Sequence, residues 1–87
     1  MKRLVLAGLV GVGAFAPPAF AQSCGDLWYE RNAIYKDAGY CFSTPRGVRA
    51  FGNAGCQYDN ITGVPLSPGA RARVAEIVRM ERMYGCR

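Results

Sequence analysis

The apolar residues of this chain follow two rules. From Leu4 to Ala16 they run without a single charged or polar side chain, whereas from Asp26 onward they recur at helical spacing among charged residues. The helical part begins with Asp26–Ala38. At 100° per residue, Leu27, Trp28, Ile34, Tyr35 and Ala38 share an arc, and Glu30, Lys36 and Asp37 fall off it. Asp26 is placed to cap this helix, and Gly39 to take the left-handed position after it. Tyr40-Cys41-Phe42 reads as an extended piece too short for a sheet. Thr44-Pro45 then combines a capping hydroxyl with proline at the first helical position. It predicts a short second helix that turns Val48 and Phe51 inward and stops at Gly52-Asn53. Gly55–Gly63 reads as turn and loop, with Tyr58 as its one large side chain. Ser67-Pro68 repeats the start pattern, and a third helix to about Tyr84 carries Ala70, Val74, Ile77, Val78, Met80 and Tyr84 on its apolar arc, with Gly85 ending it. The predicted class is all-α: a small, loop-rich, three-helix domain.

The uninterrupted run has a different meaning. Met1-Lys2-Arg3, 13 residues without charge, and a close at Ala19-Phe20-Ala21 give the pattern of a secretory signal peptide, with cleavage expected after Ala21. The run is too short to cross a bilayer as a helix, so no transmembrane segment is expected. The domain division is therefore 1–21 as leader and 22–87 as the mature domain. Cleavage leaves 66 residues, of which only 11 are Leu, Ile, Val or Phe. A core that small yields roughly 3–5 kcal/mol of net stability, and other constraints must add to it.

Four cysteines supply them. Cys24, Cys41, Cys56 and Cys86 all follow the leader, which directs them to an oxidising compartment, so two disulfides are expected. Their gaps of 17, 15 and 30 residues contain no close Cys-x-x-Cys pair, which argues against a zinc site. Cys24 and Cys41 bracket the first helix, whose ends lie ~20 Å apart at ~1.5 Å per residue. A disulfide requires Cα atoms within roughly 7 Å. That removes Cys24–Cys41 and with it Cys56–Cys86. Cys41–Cys56 with Cys24–Cys86 is the preferred pairing; Cys24–Cys56 with Cys41–Cys86 stays open.

The stretch Leu27-Trp28-Tyr29-Glu30-Arg31-Asn32-Ala33-Ile34, followed by Tyr35, Gly39, Tyr40 and Phe42, resembles the opening of the YARHG domain. That family takes its name from Tyr-Ala-Arg-His-Gly, often preceded by Leu-Trp-Tyr-x-Arg-Asn. The resemblance implies a small extracytoplasmic bacterial module associated with the cell envelope. Where the name motif has Ala-Arg-His, this chain has Lys36-Asp37-Ala38, so no role of that arginine and histidine carries over.

Charge adds two candidates. Arg31 and Glu81 lie on the apolar arcs of the first and third helices, and charges on a buried stripe need partners, so an interhelical ion pair between them is expected. Arg71, Arg79 and Arg82 share the opposite side of the third helix, with Arg73 off that stripe. They form a candidate patch for an anionic wall polymer, lipid headgroups or an acidic envelope protein. The leader makes nucleic acid an improbable partner.

Catalysis finds no support. The chain has no histidine, which excludes Ser/His and Cys/His chemistry, and its even cysteine count leaves no free thiol. Asp26 and Glu30 are expected on an exposed helix start, favouring the macrodipole rather than acid–base work. Asn60-Ile61-Thr62 matches the N-glycosylation triplet, read here as accidental. No catalytic residue, metal or cofactor is expected. The reading is a monomeric, periplasmic or secreted, non-catalytic envelope-binding protein. The alternative is an inhibitor or accessory subunit of a periplasmic enzyme, contacting it through Trp28, Tyr29 and Tyr58.

Overall fold

A computed structural model describes residues 22–86; residues 1–21, the expected signal peptide, lie outside the described residues. Three α-helices follow in order, α1 (Cys24–Asp37), α2 (Pro45–Phe51) and α3 (Pro68–Met83), with a 3-10 turn at Ile61–Gly63. Their starts follow from local chemistry. Thr44 Oγ1 accepts from Gly47 N–H and Ser67 Oγ from Ala70 N–H, each ahead of proline at the first helical position. The α1 start differs from expectation: its cap is Ser23, whose hydroxyl accepts from Asp26 N–H, while the Asp26 carboxylate accepts from Ser23 N–H. This reciprocal capping box satisfies two donors that a single cap would leave open. Gly39, at φ 98°, follows the Ala38 cap. Any side chain there would also press on the Tyr58 ring, because a Cβ would lie 3.2 Å from it.

Helix α1 is the central element. Glu30, Arg31 and Ile34 face α3, whereas Trp28, Tyr29 and Lys36 reach α2, and at 100° per residue these sets occupy opposite sides. The apolar core is small: Leu27 and Ile77 are fully buried, with Phe42, Val64 and Val74 nearly so. Asn32 is buried with them and donates from Nδ2 to Trp28 O one turn back.

Two disulfides close the domain, Cys24–Cys86 and Cys41–Cys56, with Cα separations of 5.4 and 5.2 Å. This resolves the pairing left open by helix geometry. In the chain-entropy treatment, loops of 62 and 15 residues stabilise by about 4 and about 3 kcal/mol. The Cys41–Cys56 loop is also held at the backbone. Cys41 N–H donates to Tyr58 O and Tyr58 N–H to Gly39 O, so Tyr40 and Tyr58 form an isolated parallel bridge.

Two inward assignments are corrected. Val48 is 44% exposed, because α2 approaches the core through Gly47 instead. A Cβ on Gly47 would sit 2.8 Å from the Phe42 ring, so the absence of a side chain there sets how closely helix and ring pack. Tyr84 is 51% exposed, since α3 ends at Met83 and the chain turns away toward Cys86. Phe51 does turn inward, stacking on Phe42 at 5.1 Å and 16°.

Candidate functional site

The charged seam between α1 and α3 contains two ion-pair centres. Arg31 donates from Nε to Glu81 Oε1 and from Nη2 to Glu81 Oε2, both at 3.0 Å. The Glu81 side chain is 2% exposed and that of Arg31 17%. A two-pronged guanidinium–carboxylate contact compensates burial that neither charge would tolerate alone. The backbone oxygen of Glu81 also accepts from Cys86 N–H, which links this pair to the disulfide at the end of the seam.

The second centre corrects the placement of Glu30. It lies half-buried in the seam rather than free on an exposed helix start, and Arg73 grips it from Nε at 2.6 Å and Nη2 at 2.7 Å. Arg73 also donates from Nη1 to Glu76, and Gln22 Nε2 reaches Glu30 at 3.4 Å. The Arg73 hydrogen bonds hold the Glu30 carboxyl below its ordinary value of 4.5, helped by Gln22 and opposed by partial burial. The Arg73 guanidinium is correspondingly locked in its charged form.

Arg71, Arg79 and Arg82 are all exposed, on the side of α3 turned from α1. Arg71 donates to Leu66 O; none of the three has a carboxylate partner among the described residues. Trp28, Tyr29 and Tyr58 do not gather into one surface. Trp28 and Tyr29 pack on Phe51 near the start of α1, while Tyr58 lies against Gly39 beyond its end, ~16 Å along the axis. Arg46 covers Trp28, its Cζ 3.8 Å from the ring centroid.

Two asparagine roles were also missed by sequence reasoning. Asn53 is a backbone clamp: its Oδ1 accepts from Phe42 N–H at 2.7 Å and its Nδ2 donates to Phe42 O at 2.9 Å, which completes the pairing an adjacent strand would give. Asn60 caps the 3-10 turn, accepting from both Thr62 N–H and Thr62 Oγ1. That bonding gives the Asn-x-Thr triplet a local structural role. An open groove of about 260 Å³, bordered by Ile34, Asp37, Ala38, Leu66 and Ala70, marks where the end of α1 meets the start of α3.

These features define a small helical domain whose order rests on two disulfides, a buried ion pair and side-chain clamps. The YARHG domain profile matches residues 5–82, well past the Leu27–Phe42 stretch that carries the sequence resemblance. The chain belongs to the YARHG domain family, a small extracytoplasmic module, and its two disulfides fit an oxidising compartment. No curated protein and no solved structure matches it. Among the described residues, no helix is long and apolar enough to cross a membrane.

Proposed function

We propose that this protein, released to the periplasm or exterior by cleavage after Ala21, is a non-catalytic envelope-binding module that uses Arg71, Arg79 and Arg82 to hold an anionic wall component. The observation that carries the reading is the asymmetry of charge use on α3. Arg73 and Glu81 are consumed by the seam with α1, whereas the three arginines on the outer side carry no acidic partner among the described residues. Residues 71 to 82 extend ~16 Å along the helix, enough to meet several repeating charges of a polymer at once. Three such charges on one face raise both encounter rate and affinity, and the attraction is screened by salt.

The test is co-sedimentation of the mature protein with purified cell-wall sacculi across a salt series, beside an Arg71/Arg79/Arg82→Ala variant. Pelleting at low salt that falls steeply toward ~0.3 M salt, and falls likewise in the variant, is the expected result. Absence of pelleting at low salt, or equal pelleting of the variant, overturns it and directs attention to a protein partner.

A further inference from the structure

The α1–α2 side of the molecule carries a second arrangement, on the opposite side of α1 from the α3 arginines. Its centre is Arg46. The guanidinium rests over the indole of Trp28, with Cζ 3.8 Å from the ring centroid. Contact through a π face localises the cation without consuming any of its N–H donors. Arg46 is exposed, and among the described residues those donors have no hydrogen-bond acceptor. It is therefore held in place with its fork free to receive a carboxylate.

Tyr29, which follows Trp28 on α1, belongs to the same ring cluster through Phe51. Tyr29 is 53% exposed, and its ring is braced from below by Phe51 at 4.8 Å, which in turn stacks on Phe42. Phe51 also touches Trp28 at 6.0 Å, so one half-buried ring supports both the exposed Tyr29 and the half-buried Trp28. Arg49 follows Arg46 by three residues on α2, a helix with no acidic residue. Lys36, on the same side of α1, spends its ammonium on Gly52 O.

An exposed aromatic face in the same cluster as an arginine with unspent donors matches one ligand chemistry well. The face accepts the C–H surface of a sugar ring, and the fork accepts an acid group on that ring or its neighbour. We propose that Trp28, Tyr29, Arg46 and Arg49 form a binding site for a carboxylate-bearing sugar, separate from the α3 arginine stripe. Ring stacking supplies contact area, Arg46 fixes orientation through two N–H···O bonds, and Arg49 serves a following acidic unit.

The chain has one tryptophan, so its emission reports on this site alone. Titration of the mature protein with a hexuronate tetrasaccharide, monitored by Trp28 fluorescence and by calorimetry, should give a saturable response. A neutral tetrasaccharide should give none, and short-chain polyphosphate at least a tenfold weaker one. Arg46→Ala should weaken binding at least tenfold, and Arg46→Lys should stay nearly as weak because an ammonium lacks the planar fork. Tyr29→Ala should lower affinity with far-ultraviolet circular dichroism unchanged, whereas Arg71/Arg79/Arg82→Ala should leave the response intact. No saturable response to the uronate, an undiminished response in folded Arg46→Ala or Tyr29→Ala, an equal response to polyphosphate, or loss in the α3 triple variant would each overturn the proposal. Sacculus pelleting depends on the α3 residues and the Trp28 response on Arg46, so either reading can fail alone.

Discussion

The two flanks of α1 are joined by different physics. Toward α3 the contact is ionic: Arg31 with Glu81, Arg73 with Glu30, and the Cys24–Cys86 bond at the end of the seam. Toward α2 and the following loop it is aromatic and backbone-directed. Tyr35, Tyr40, Phe42, Phe51 and Tyr29 form a continuous series of ring contacts between 4.8 and 6.1 Å, and Asn53 holds Phe42 by its main chain. A chain with so few large aliphatics uses two substitutes for a deep core, paired charge on one side and rings on the other. The first includes a carboxylate, Glu30, that responds to acid; the second is made of rings and main-chain hydrogen bonds with no carboxylate among them.

Removing one charge of the seam should break that side most severely. Glu81→Ala strands Arg31 against the core and should cost about 3 kcal/mol or more in chemical denaturation, with Asp59→Ala as the surface control. The paired Arg31→Met/Glu81→Leu replacement should recover most of that loss, because no buried charge is then left alone. A single variant that melts with the control would show that the charged seam does not hold the helices.

On the aromatic flank the largest single effect should come from Asn53→Ala. It deprives both Phe42 N–H and Phe42 O of their partner and should cost about 2 kcal/mol. The loss should be the same at pH 4 and pH 7, which separates this flank from the other. Urea midpoints at the two pH values check it, and a pH-dependent loss would erase the contrast.

The smallest effect should be Glu30→Gln. The folded state lowers the Glu30 pKa, so its contribution is complete above the ordinary value of 4.5 and disappears as pH falls through the folded value. Both partners are about a third exposed, which limits the pair to about 1 kcal/mol or less. Wild type and variant should therefore differ slightly at pH 7 and converge in acid. A difference that persists at pH 2 would assign the stabilisation to packing rather than charge.

The same division governs what the sequence reveals. Thr44-Pro45 and Ser67-Pro68 place two helix starts because capping is local chemistry, written within four residues. Ser23 and Asp26 form an equally local pair, yet Asp26 resembles a cap on its own, and only the reciprocal bonds show that it is the second member of the box. Arg31 and Glu81 are legible as partners because each interrupts an apolar arc. Glu30 and Arg73 interrupt nothing and are 43 residues apart, so no pattern announces them. Asn53 is hidden for a related reason: its target is a backbone, which has no sequence. The outward turn of Val48 depends on Gly47 meeting Phe42, a contact set by the third dimension.

The Cys24–Cys86 bond has a mechanical consequence. Its Cα atoms are 5.4 Å apart, so tension entering near Cys24 and leaving near Cys86 passes through one covalent link and bypasses every helix. The 62-residue span between them could extend to roughly 210 Å if released, but in the oxidised protein that length is out of reach of a pulling force. A module clasped in this way bears load without unfolding, and gives way only when a reductant, rather than a stronger pull, opens the clasp.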